Sequence, residues 1–202
     1  MLAARALVGH FKASTQSLEA LLQSQLRNNV KIPLNVIQDV STRWWSTYSM
    51  CKRLTDLKLY ILLILEANKN IPILSDYQWK IIEALVNVLA PFMNIQKMME
   101  GQKYTTVSLI PYLVFKVRKH LILSMDDLQT LPEVKNLIEL MLIDLSKRWG
   151  SGLAGTVFNE HKTLGDRRRR KGFPELTMQA AALDPRTKSL IGLGDHGDHD
   201  LV

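Results

Sequence analysis

The stretch TLPEVKNLIELMLIDLSKRWG, residues 130–150, decides the fold class. Its apolar side chains fall at Val134, Leu137, Ile138, Met141, Leu142, Leu145 and Trp149. Steps of three and four residues place them on one face of an α-helix, whereas a strand would need strict alternation. Thr130 and Glu133 have the spacing of a capping box. Pro132 fits the first helical turn, and Gly150 fits just beyond the end. A helix is therefore expected from about 131 to 149.

The same periodicity runs outward through the chain. Leu2, Ala6, Leu7 and Phe11 predict a first helix over 1–11. Ser14 is placed to cap a second through about Arg27, with Leu18, Leu21, Leu22 and Gln25 on one face. In NNVKIPLNVIQDV (28–40), Pro33 disfavours helix at Ile32, and Val36, Ile37 and Val40 suggest an extended connection. The longest helix is expected to open at Ser41 or Thr42 and to reach about Asn68. Ser75 and Gln78 form a second capping-box pair, followed by Trp79, Ile82, Leu85, Val86 and Leu89. Pro91 is expected to kink or break that helix before Gly101. Another helix should cover about 107–123, with Pro111 in its first turn. Strand signals are weak throughout.

The expectation is an all-α protein. A helical bundle spans 1–149, and a basic, glycine-rich loop spans 150–172. A short helix over 173–190 packs back on the bundle, and a disordered tail covers 191–202.

Totals bound the function. The 202 residues carry 26 Lys+Arg against 19 Asp+Glu, a formal charge of +7. A surplus of that size favours an anionic partner such as DNA without requiring one. Cys51 is the single cysteine, so no disulfide forms within the chain and no cysteine-based zinc site exists. Its helical, apolar surroundings predict a buried thiol. The longest apolar run, LYILLIL (59–65), is far too short to span a bilayer.

One further stretch, DVSTRWWSTYSM (39–50), holds two adjacent tryptophans. On a helix they point about 100° apart, so one face cannot bury both. Extended to 54, it resembles the DvxTRWNSTYxMLxRL signature of hAT-superfamily transposases and their zinc-finger BED-type relatives. ARALVGHFKAS (4–14) resembles the helix preceding that signature. LAPFMNIQKMMEGQKYTTVSLIPYL (89–113) is similar to a later family segment, and AALDPRTK (181–188) to the family's LDPRfK. This chain departs by having Trp45 where the signature has Asn, and Thr187 where an aromatic is usual.

The resemblance implies an RNase H-like catalytic core with three metal-binding acidic residues, two before the matched region and one after it. The all-helical insertion domain lies between them. The chain corresponds to that insertion and its flanks, so no catalytic residue, metal or cofactor is expected. Asp39 is not one of the three acids; it is expected to cap the long helix or to pair with Arg43.

Candidate nucleic-acid contacts follow. An aromatic ring stacks on an unpaired base and Arg holds phosphate. The resemblance implies that Trp44 stands where relatives place a tryptophan near the DNA end, beside Arg43. The alternative is a half-buried packing role for Trp44. Trp45 is expected to pack on the helical core. The run Arg167, Arg168, Arg169, Arg170 and Lys171 suits nuclear import or phosphate contact, against a merely solvated loop. DHGDHD (195–200) is expected to be solvated tail rather than metal site, and His10, His120 and His161 to lie at the surface or its rim.

The function expected is a catalytically inactive, transposase-derived nuclear protein associated with DNA or chromatin, with no membrane and no small-molecule substrate. The alternative is a helical protein-interaction scaffold, which calls for exposed apolar surface along LYILLIL, or a non-functional remnant.

Overall fold

The computed structural model describes residues 1–43, 45–67, 70–100, 106–150, 157–158 and 173–187. Its helices are α1 (Leu2–Ala13), α2 (Thr15–Arg27), α3 (Ser46–Ala67), α4 (Asp76–Met99), α5 (Ile110–Asp126), α6 (Pro132–Trp149) and α7 (Glu175–Leu183). A 3-10 turn, Val107–Leu109, leads into α5. Two two-residue strands, β1 (Val157–Phe158) and β2 (Phe173–Pro174), pair in parallel. The architecture is all-α, as the periodicity predicts. The residues group into two compact units, Met1–Leu89 and Ala90–Val202.

In the first unit, Ala4, Leu7, Val8 and Phe11 form the buried stripe of α1. Ser14 ends α1 and opens α2: its backbone N–H donates to the His10 carbonyl, and its hydroxyl accepts from the Ser17 N–H at 3.2 Å. This is the cap the sequence predicts. On α2 the buried positions are Ser17, Leu21 and Gln25. Gln25 fastens the extended connection: its Oε1 accepts from the Leu34 N–H at 2.7 Å, and its Nε2 donates to the Leu34 carbonyl at 2.9 Å. Arg53 of α3 adds a bond to the Asn35 carbonyl. Val36 then buries its side chain.

Met50, Cys51, Leu54, Leu57 and Ile61 carry the core face of α3. Trp79, Ile82 and Val86 of α4 join the same cluster. The Ser75/Gln78 box forms reciprocally, with bonds of 3.0 and 3.2 Å. Lys58 ties α3 to α4 by pairing with Glu83 at 2.7 Å and lying 5.6 Å from the Trp79 ring centre.

Pro91 neither breaks α4 nor ends it, because the helix runs through to Met99. A proline deletes one backbone bond, here to the Asn87 carbonyl. Asn87 is exposed, so water is at hand to replace that bond.

In the second unit α5 packs on α6 and α7, and α7 also packs on the 3-10 turn. Buried side chains are Leu113, Val117 and Leu121 from α5 and Val134 and Ile138 from α6. Phe173 is buried too, its ring stacked on Trp149 at 4.9 Å. Pro111 and Pro132 sit in first turns, as expected. Thr130 is not the N-cap. Leu131 is the N-cap of α6, and the Thr130 hydroxyl instead donates to the Ser124 carbonyl at 2.8 Å. Gly150 ends α6 at φ 90°, a conformation that an L side chain rarely adopts.

Candidate nucleic-acid interface

Thr42, Arg43 and Trp45 lie ahead of the helix, in turn and bend, rather than in its first turn. α3 begins at Ser46, four or five residues later than Ser41 or Thr42. The cause is visible in the backbone: Trp45 has φ 62°, the left-handed region, which cannot continue a right-handed helix. Two sets of bonds pin the turn. Ser46 Oγ accepts from the Val40 N–H at 3.0 Å and donates to the Val40 carbonyl at 2.7 Å. The Arg43 N–H also donates to the Val40 carbonyl at 2.9 Å.

Asp39 has a different partner from either expected. It neither caps α3 nor pairs with Arg43; Arg5 of α1 reaches its Oδ2 at 2.7 Å. Thr47 Oγ1 donates to the same oxygen at 3.3 Å, and Gln38 Nε2 to the other at 3.1 Å. The bond from Arg5 holds the Asp39 carboxyl below the usual carboxylate range, against the opposing effect of burial. Asp39 is thus the post on which α1, the connection and α3 are tied.

That arrangement leaves Arg43 exposed, with no ion-pair partner among the described residues. Trp45 is half-buried and meets Tyr48 edge to face at 6.0 Å. Its contact is with Tyr48, which itself packs on the core cluster, and its indole Nε1 is enclosed without an acceptor among the described residues. Trp44 lies outside the described residues. So do Arg167, Arg168, Arg169, Arg170 and Lys171, together with His161 and Asp195–Asp200.

Two of the motifs quoted above meet in the second unit. Ser108, from TTVSLIPYL, donates its hydroxyl to Asp184 Oδ2 of the LDPR segment at 2.5 Å. Arg186 returns to the same carboxylate at 2.6 and 3.0 Å. These bonds, the Arg186 contacts first, hold the Asp184 carboxyl well below its ordinary range. Thr187 is buried, and its hydroxyl donates to the Ala181 carbonyl at 2.8 Å. The constellation latches α7 to the 3-10 turn.

The remaining titratable groups point to packing. Burial pushes the Cys51 thiol up to about 11, far from nucleophilic range. His10 Nε2 lies 3.0 Å from the Ser17 hydroxyl, and His120 Nε2 is enclosed. Among the described residues no three His, Cys, Asp or Glu side chains are grouped to hold a metal. No described helix is long and apolar enough to cross a membrane.

Arg5 and Arg118 are structural residues that the sequence pattern passes over. Arg118 lies on the buried stripe of α5 at 2% exposure, with Nη2 bonded to the Gly150 carbonyl at 2.5 Å. Burial lowers its pKa. The only signal for it was a charge inside an apolar run.

Residues 1–88 match the family model of the ZBED1 RNase-like helical domain. The matched stretch nearly coincides with the first compact unit, Met1–Leu89. The match supports a ZBED/hAT-related helical domain. Searches of curated proteins and of solved structures returned no match.

Proposed function

We propose that the chain is a catalytically inactive, hAT-transposase-derived nuclear protein that contacts nucleic acid through the turn before α3 and through the basic run 167–171. The observation that carries the proposal is the exposed Arg43, without an ion-pair partner among the described residues, on a turn fixed by Ser46 and Val40, in a unit that matches the ZBED1 helical domain. A cation left free in a pinned turn is suited to phosphate. The chain's surplus of positive charge points the same way. Strand cleavage in this superfamily's manner requires clustered carboxylates to hold divalent metal ions, and the role proposed for the chain is binding alone.

The test is a DNA titration of the wild type, of Arg43→Gln and of a chain neutralised at 167–171, at two salt concentrations. Each phosphate that a variant no longer touches should flatten the salt slope by roughly 0.9. Binding should weaken about equally for all sequences. A wild type that fails to bind DNA at low salt overturns the proposal. With magnesium or manganese the chain should neither nick nor join DNA; metal-dependent cleavage abolished by an acidic-residue substitution would refute inactivity.

A second reading has its own observation. Along LYILLIL, Leu59, Leu62 and Leu63 are 59, 39 and 44% exposed, one outward stripe of α3. The opposite face of the same helix is core. Such a surface fits a protein partner, and the scaffold reading gains if Leu59→Gln with Leu63→Gln abolishes self-association or partner capture without unfolding α3.

A further inference from the structure

Two separate faults coincide at Trp45. Its backbone lies at φ 62°, where the β-carbon of an L residue crowds the carbonyl oxygen. Its indole N–H is shut away from water with no acceptor among the described residues. The described residues around it are well bonded: Asp39 holds Arg5, Val40 holds Ser46, the Ser46 N–H donates to the Arg43 carbonyl, and the Ser49 N–H donates to the Trp45 carbonyl. Both costs fall on Trp45, between backbone bonds at Arg43 and at Ser46 and Ser49. Strained residues cluster at ligand clamps and switch segments, and among the described residues the two faults coincide only here.

We infer that the turn is a loaded nucleic-acid contact. Trp45 leaves the left-handed region, its N–H reaches water, and its ring stacks on an unpaired base while Arg43 holds the adjoining phosphate. The inference rests on the nucleic-acid reading above and specifies its ligand. In solution the swing would expose the indole, an apolar cost that keeps the ring tucked against Tyr48 at 6.0 Å. A base face removes that cost, and only unpaired strands present one.

The test uses the full chain, a short oligo-dT and a duplex of equal length, with Trp45→Asn, Trp45→Phe and Arg43→Gln. Asn accepts left-handed backbone, so Trp45→Asn should raise the melting temperature and still weaken oligo-dT binding by about tenfold, more than duplex binding. Trp45→Phe keeps a ring and should hold oligo-dT affinity within about threefold. Arg43→Gln should weaken both DNA forms. If Trp45→Asn melts lower than wild type, or leaves oligo-dT affinity unchanged, the loaded turn is refuted while duplex binding through other cations stands. If wild type binds neither form, both readings fail.

Discussion

Arg5 and Asp39, 34 residues apart, meet at 2.7 Å and close the first unit around its least regular segment. The Asp39 side chain is 6% exposed and the Arg5 side chain 45% exposed, so the carboxylate end of the pair is the sheltered one. The folded-state pKa of Asp39 is lowered. Such a group stabilises the fold above its unfolded pKa of about 3.9 and loses that contribution as pH falls below it toward the folded value. Asp184, also lowered, acts in the same direction in the second unit.

Asp39→Asn should therefore destabilise the chain at neutral pH by about 1 kcal/mol, because Arg5 is largely solvated and screened. The difference from wild type should shrink as pH is lowered from about 5 to 2. Urea midpoints across that range measure it. A deficit that is constant with pH would show that the carboxylate charge is not what holds the turn.

Gln25 is the second tie. It gives and takes one bond each with Leu34, and Nε2 also reaches the Leu21 carbonyl at 3.2 Å. Gln25→Leu keeps volume but leaves the Leu34 N–H without its acceptor. The expected cost is about 2 kcal/mol, with hydrogen exchange at Leu34 accelerated ahead of α2. If the amide stays protected in the variant, water or another group replaces the amide side chain and the clamp is dispensable.

Whatever depended on neighbours in sequence could be read from sequence. Ser14 and Ser75 act within three residues of themselves, and both caps form. Thr130 had the same spacing, but its hydroxyl found the Ser124 carbonyl, a competitor that only the folded turn supplies. Asp39 had local candidates and chose one 34 residues away. The late start of α3 had a faint signal. The family signature has Asn where this chain has Trp45, and Asn is among the few side chains at ease in left-handed backbone. The candidate interface stayed half legible because Arg43 announces itself by charge, whereas the strain at Trp45 is a property of backbone angle.

Ser75→Ala tests the Ser75/Gln78 box. Removing the hydroxyl leaves the Gln78 N–H uncapped at the start of α4, at a cost of about 1 kcal/mol. The urea midpoint followed by far-ultraviolet circular dichroism should fall accordingly. No shift would mean that water caps α4 as well as serine does.

Arg118 gives the sharpest disagreement between charge and burial. It is enclosed on α5 with one neutral acceptor, Gly150, while Nε and Nη1 have no partner among the described residues. Arg5, Arg148 and Arg186 each meet a carboxylate, and Arg53 reaches a carbonyl from a more exposed position. Arg118→Met removes the charge-assisted bond, worth about 1.5–3 kcal/mol, and also two unmet donors, each costing about 1–3 kcal/mol. The unbranched thioether fills the channel left by the arginine stem. On these figures the balance centres on about 2 kcal/mol in favour of methionine, in the range seen when buried charges give way to apolar side chains. Arg118→Lys should do the reverse, since a compact ammonium carries the same charge without the reach to Gly150. Exchange protection of the α5 and α6 amides reports on this unit directly. A methionine variant that loses protection by more than about 2 kcal/mol would mean that Nε and Nη1 meet an acceptor in solution, and that Arg118 is a paired group after all.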